Sequence, residues 1–514
     1  MENKLKRGII VDKVIKITPF INGEYVESKS SKYMDIYDPS KGEVIAATPC
    51  CTRDEVDAAV RAAKEAYPAW RRVPAHKRAQ LFFNLRALIQ ENLEDLTMSV
   101  ARENGKAWDE AEGDVLKAKE MTEIACGIPN LLMGESLMNT SAGYDTTLYR
   151  EPIGVFAGIA PWNFPSMIPM GWMSPLAIAC GNTFVLKAAS MTPMTALKFA
   201  GLYEKAGFPK GVLNVLTCSR NESELLLSHP DVRGITFVGS TEVGLHIYSM
   251  AARNGKRVQA LCEAKNHALV LKDAPITRTA AGIMNSAFGC AGERCMALPV
   301  VVVEDEIADA LVAELVRLCK AQKIGPAYDK TTNLGPVVTD GHRKFVTDWI
   351  EKGIREGAEL VLDGRGCIIP GYEKGFYLGH TIFDRVTPEM SIGNQEIFGP
   401  VLCVKRVKNF DEGLALMNAN SFANGSVIFT QNGYYARQFV ENTDGGMVGV
   451  NVGIPVPAGV FPFSGHKMSF FGDLHCHGKD AIRFYTESKT VTTRWFDEEE
   501  MKKECVATWD GSLP

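Results

Sequence analysis

The chain has 514 residues and a formal net charge of −5, with 46% hydrophobic and 23% charged residues. The length exceeds one core and implies two or three domains, the composition is that of a soluble globular protein, and the mild acidity offers nothing to nucleic acid or a membrane surface. Thirteen scattered cysteines, an odd number with no CxxC pair, read as reduced thiols of a cytoplasmic enzyme rather than a disulfide framework. Residues 1–16 lack the apolar core of a secretory signal, and no stretch is long enough to span a membrane.

Two helical patterns come first. Thr52 and Glu55 form a capping box ahead of Val56, Ala59, Val60, Ala63 and Tyr67, and Leu81, Leu85, Leu88 and Ile89 make a second apolar stripe. From residue 155 onward strands and helices alternate. Strands are predicted over 155–160, 183–187, 212–216 and 235–238, and helices over 167–180, 193–205 and from Thr241. The alternation restarts after Cys295 with strands at 300–303, 360–362, 402–407, 426–430 and 448–452. This pattern implies βαβ units and two doubly wound parallel sheets. Segments 146–150 and 486–496 alternate polar and apolar residues without a helical partner and read as surface strands, while 498–505 reads as a charged tail or frayed helix.

Cys295 stands in the run Gly292-Glu293-Arg294-Cys295-Met296-Ala297-Leu298, a turn ahead of an apolar strand. A neighbouring arginine favours the thiolate, the form that attacks carbonyls. Cys290 is the rival thiol and reads as small packing at a helix end. Asn163, in Pro161-Trp162-Asn163-Phe164-Pro165, follows a strand's carboxyl end, where sites of α/β folds gather. Its amide can donate to an oxyanion or cap the following helix. Gly239 allows close backbone approach, and Ser240 opens a helix whose free N–H groups suit an anion. His475-Cys476-His477 are adjacent residues that do not easily reach one ion, so no metal site is expected.

These runs resemble the aldehyde dehydrogenase superfamily over residues 20 to 496. The resemblance implies an α/β fold with two doubly wound parallel-sheet domains and a β-strand oligomerisation arm. It assigns 1–135 and 152–262 to an NAD(P)-binding domain, 263–465 to a catalytic domain, and 136–151 with 466–514 to the arm and C-terminal tail. It implies Cys295 as nucleophile and Asn163 as oxyanion donor. For the coenzyme it implies Ala160 and Trp162 beside that asparagine, Lys187 on the adenosine ribose, and Gly239 and Ser240 against the pyrophosphate. In Gln395-Glu396-Ile397-Phe398-Gly399-Pro400 it implies Glu396 on the nicotinamide ribose with Phe398 packed nearby. It also implies a homo-oligomer, dimer or tetramer.

Two departures shape the chemistry. The family glutamate three residues after the coenzyme lysine is replaced by Ser190, which removes a repulsion against a 2′-phosphate and leaves NAD and NADP both open. In the run Leu261-Cys262-Glu263-Ala264-Lys265-Asn266-His267, leucine stands where hydrolytic relatives carry the glutamate that activates water. Glu263, two residues on and about 7 Å further along a strand, is the substitute base to consider. The Ala-Lys-Asn-His and Cys-Met-Ala-Leu runs, with segments 461–480 and 483–487, resemble the CoA-acylating methylmalonate (malonate) semialdehyde dehydrogenase branch. That branch implies coenzyme A as cosubstrate, possible loss of CO2, and an anionic small-molecule aldehyde held by two arginines. Arg294 matches one of these, and Lys117 stands at the other, keeping the charge but losing the bidentate fork. The alternatives are a hydrolytic enzyme releasing free acid and a non-catalytic relative acting as a binding protein.

Overall fold

The computed structural model describes residues 10–11, 14–141 and 143–502. Two largely parallel sheets dominate. In the first, five central parallel strands lie side by side in the order Arg257–Leu261, Val232–Val238, Val155–Ile159, Thr183–Lys187 and Leu213–Leu216. Helices on both faces bury these strands, which is why they read as continuous apolar runs. The chain enters at Val155–Ile159, winds outward through 183–187 and 213–216, then reverses to 232–238 and 257–261. Strands Val155–Ile159 and Val232–Val238 therefore flank the switch point, and a crevice opens beyond their carboxyl ends. Short antiparallel strands, Phe470–Gly472 and Phe20–Ile21, cover the two outer flanks.

The second sheet runs parallel through Thr381–Asp384, Val401–Val407, Val300–Glu304, His267–Val270, Gly425–Phe429 and Met447–Val450, with Glu359–Leu362 antiparallel at one edge. The amino ends of its strands point into the crevice, opposite the carboxyl ends of the first sheet. A separate three-stranded sheet joins Thr486–Arg494 to Tyr144–Pro152 and then to Ser136–Ser141. It leaves Leu137, Met138, Tyr149, Trp495 and Phe496 exposed.

The first helix, Arg53–Trp70, begins with the expected capping box between Thr52 and Glu55. Other expectations need correction. The helix predicted over 167–180 is two pieces, a wide π-helical segment Ile168–Met173 and a short α-helix Ser174–Ala179. Pro169 and Pro175 each lack an N–H, which favours a locally rewound helix. The strand predicted over 448–452 stops at Val450, because Asn451 takes φ 57°. In the charged tail only Glu500–Lys502 forms a short 3-10 turn, and residues 503–505 lie outside the described residues.

Candidate active site

Cys295 lies between the helix Ile276–Phe288 and the strand Val300–Glu304, at the amino end of the second sheet. The preceding turn passes through the left-handed region at Cys290, Ala291 and Gly292. A Cβ on Gly292 would sit 2.1 Å from the Gly399 carbonyl oxygen, so this close approach requires glycine. Asn266 Nδ2 donates to the carbonyls of Cys295 (2.8 Å) and Ala297 (2.7 Å), while its Oδ1 accepts from Gly425 N. Asn424 Nδ2 adds a third bond, to the Cys295 carbonyl at 3.3 Å. The backbone at the thiol is thus fixed by side chains from two neighbouring strand ends.

Asn163 is buried across the crevice, and its Nδ2 donates to the Glu293 carbonyl at 3.1 Å. An amide carries two N–H donors, so one remains for a reacting oxygen. Its segment is held on both sides. The Trp162 carbonyl accepts from Asn104 Nδ2 and Thr192 Oγ1, each at 3.0 Å. Lys106 and Asp114 form a fully buried ion pair at 2.9 Å, and Asp114 also accepts from Met167 N at 2.6 Å. The Lys106 ammonium lies 3.3 Å from the centre of the Phe164 ring.

The electrostatics correct one expectation. Arg294 turns away from the Cys295 thiol and binds Glu110 at 2.6 Å, and Glu110 Oε1 also accepts from Cys290 N. The guanidinium charge therefore acts on Cys290, whose thiol burial nonetheless pushes up to about 11. Burial, reinforced by the charge of Glu396, pushes the Cys295 thiol up to about 12, so it is protonated in the free protein. Glu396 shares a small cavity with Cys295 and accepts from Ala264 N at 3.0 Å. Burial, with the charge of Glu263 adding to it, pushes Glu396 up to about 8.

Arg294 and Lys117 line one cavity of about 310 Å3 together with Cys295. Its walls are mainly apolar, with Phe164, Met167, Trp172 and Phe463 prominent. Both cations are already paired: Lys117 Nζ lies 2.6 Å from Glu120, and Arg294 is bound to Glu110. Arg294 Nε and Glu110 Oε2 are nevertheless buried without hydrogen-bond partners.

The coenzyme candidates gather at the switch point. Ala160 N donates to the Lys187 carbonyl at 3.1 Å, and burial lowers the pKa of the Lys187 ammonium. Ser190 sits half-buried in the turn beyond it. Trp162 packs edge-on against Phe398 and His342, each at 5.4 Å, and His342 Nε2 donates to the Phe398 carbonyl. Gly239 lies so close to the Phe237 ring that a Cβ there would come within 2.5 Å of it. Ser240 is the N-cap of helix Thr241–Arg253 but makes no side-chain capping bond. Glu263 does the capping instead: Thr241 N donates to its Oε2 at 3.1 Å. Because the strand ends at Leu261, Glu263 is not displaced along it as expected but folded back on this helix start. Leu261 itself is buried, and Asp473, an acid on the neighbouring C-terminal segment, lines a different cavity with Arg257 and Arg483.

The model of the aldehyde dehydrogenase family matches residues 25–491. The chain belongs to this family. It is 48% identical over 476 residues to malonate-semialdehyde dehydrogenase 2 of Geobacillus kaustophilus (strain HTA426), covering 93% of this chain and 98% of that one. Among solved structures, the methylmalonate-semialdehyde dehydrogenase of Oceanimonas doudoroffii is 41% identical with TM-score 0.92, covering 94% of this chain and 99% of that one. A Sinorhizobium meliloti structure complexed with NAD is 40% identical with TM-score 0.93, covering 95% and 99%.

In this aldehyde dehydrogenase several residues at the site escaped the sequence reading. Lys106, Glu110 and Asp114 come from a segment with no motif of its own. Asp114 carried a usable signal, an acid on the same helix face as the buried Ala111, Val115 and Ala118. Asn266 and Asn424 each directly precede a strand, and only the packing of the two strands brings them to Cys295. His477, weighed in the sequence only as a metal ligand, lines the same cavity as Cys295. Among the described residues no three metal-ligating side chains converge, and no helix is long and apolar enough to cross a membrane.

Proposed function

We propose that the protein oxidises a small anionic aldehyde, of the malonate or methylmalonate semialdehyde class, and transfers the acyl group from Cys295 to coenzyme A. The observation that carries this reading is the absence of a competent base at the water-activating position, with Leu261 buried there and Glu263 engaged by a helix N-terminus. The semialdehyde class rests on the names of the relatives and on two cations, Arg294 and Lys117, lining the cavity beside Cys295.

The Cys295 thiol loses its proton to solvent water, and its sulfur adds to the aldehyde carbon. The resulting oxyanion accepts the free N–H of Asn163. A dinucleotide held by Ala160, Trp162, Lys187, Gly239, Ser240, Glu396 and Phe398 supplies a hydride acceptor when bound; NAD is favoured by the NAD-bound relative, and Ser190 leaves NADP open. Loss of hydride from the hemithioacetal carbon leaves a thioester on Cys295. An acyl group bearing a β-carboxylate can then lose CO2, the thioester enolate left behind taking a proton from solvent water. The thiolate of coenzyme A attacks the thioester carbonyl and expels the Cys295 sulfur as acyl-CoA forms. The exposed apolar side chains of the three-stranded arm support a homo-oligomer.

The experiment is turnover of malonate semialdehyde with NAD, with and without coenzyme A, following both reduced coenzyme and acyl-CoA. Acyl-CoA formed in step with reduced coenzyme supports the reading. Steady release of free acid without coenzyme A overturns it and makes Glu396, the carboxyl beside Cys295, the base of a hydrolytic enzyme. Absence of any aldehyde oxidation would make the chain a binding protein.

A further inference from the structure

His477 is buried, at 3% exposure, and both of its ring nitrogens lack a hydrogen-bond partner. Buried polar atoms are rarely left this way, and each one calls for an explanation. The ring lines the aldehyde cavity together with Cys295, Arg294 and Lys117. It stands edge-on to Trp172 at 4.8 Å and to Phe463 at 6.3 Å. A phenylalanine would satisfy these aromatic contacts without burying two polar atoms, so packing does not account for the imidazole.

The backbone points the same way. His477 takes φ 70° and ψ 172°, a region that essentially only glycine occupies without strain. Gly478 follows at φ 56°, and its N–H is tied to the Gly459 carbonyl at 3.1 Å, so the strained turn is held in place. Burial, with the charge of Lys117 adding to it, lowers the imidazole pKa to about 3, so the ring is neutral and carries one N–H donor and one acceptor. His475, two residues earlier, is otherwise engaged: its Nε2 donates to the Gly465 carbonyl and its ring stacks on Phe470.

We propose that His477 is a specificity-determining residue of the aldehyde cavity, its ring N–H donating to the distal carboxylate of the substrate alongside the Lys117 ammonium. The second nitrogen is left to accept from a water that enters with the anion. This inference rests on the substrate class proposed above. Its chemical content is that a fixed, neutral donor reads the position of the acid group, whereas Lys117, on a flexible stem, supplies charge.

The test compares kcat/KM for malonate semialdehyde and for propanal, which has the same carbon chain without the acid, in wild type, His477→Phe and His477→Gln. The expected result for His477→Phe is a loss of roughly 10- to 100-fold on malonate semialdehyde, chiefly in KM, with propanal changed by less than about threefold. His477→Gln keeps an N–H and recovers most of the loss. Equal losses on both aldehydes, or an unchanged preference in His477→Phe, overturn the inference and reduce His477 to packing. If His477→Phe does not fold, a His477→Gln enzyme whose KM rises equally for both aldehydes overturns it as well. A wild type with no preference for malonate semialdehyde over propanal overturns the substrate class itself, an outcome distinct from a preference that survives the loss of His477.

Discussion

Replacing Asn163 by alanine tests the reacting geometry most directly. The amide is buried and one of its hydrogens is bound to the Glu293 carbonyl at 3.1 Å, so the other is oriented before any substrate arrives. A preorganised donor of this kind is worth about 2.7–4 kcal/mol to the transition state, or roughly 10²–10³ in rate. Alanine also deprives the buried Glu293 carbonyl of its donor, which costs about 1–3 kcal/mol of stability, a separate effect that denaturant unfolding measures. Because acyl transfer can limit steady turnover, the rate to follow is the first-turnover burst of reduced coenzyme, by stopped flow at saturating aldehyde without coenzyme A. Asn163→Asp keeps the shape but sets an acceptor against the oxyanion, so its burst is expected to be no faster than that of Asn163→Ala. A burst for Asn163→Ala within about threefold of wild type, or a loss wholly in KM, would refute the oxyanion role.

Further outcomes follow from the same geometry. With coenzyme A omitted, reduced coenzyme should stop at one equivalent per active site, because Leu261 activates no water; continued turnover would contradict this. Lys117→Met should weaken anionic aldehydes by roughly 10- to 100-fold and spare neutral ones of equal length, for the loss of one charge-assisted contact, and equal losses would make Lys117 structural. In the free protein the Cys295 thiol lies near 12, above the ordinary range for cysteine, so its thiolate fraction and its rate of alkylation should rise about tenfold per pH unit between pH 7 and 9. Glu396→Gln should speed that reaction above pH 8, where Glu396 is otherwise charged, and a fast, pH-independent alkylation would show a preformed thiolate. Asp114→Asn leaves the buried Lys106 without its counter-charge and should cost about 3–5 kcal/mol, read as a shortened thermal-inactivation half-life; an unchanged half-life would mean that Lys106 is solvated.

Much of the architecture was legible along the chain, because helix-covered parallel strands must be apolar throughout and their short runs alternate with helices. The capping box at Thr52 and Glu55 marked a helix start for a purely local reason, two side chains satisfying two backbone donors. The thiol in Gly292-Glu293-Arg294-Cys295 and the amide in the Trp162-Asn163-Phe164 run were visible as residue types whose chemistry suits carbonyl addition. Sequence neighbours nevertheless misled about charge. Arg294 adjoins Cys295 in the chain, yet Glu110, more than 180 residues away, draws its guanidinium toward Cys290. Glu263 read as a possible base, but the end of the strand at Leu261 turns it onto the start of a helix. The partners that decide such matters, Asn163 with Glu293, Asn266 with Cys295 and His477 with the cavity beside Cys295, are distant in sequence and are joined only by packing. The sequence alone therefore determined which chemical groups the protein carries and the periodicity that folds them. Burial and long-range pairing, which set the protonation and orientation of each group, were decided by the tertiary structure, because they depend on which strand ends and helices face one another across the crevice.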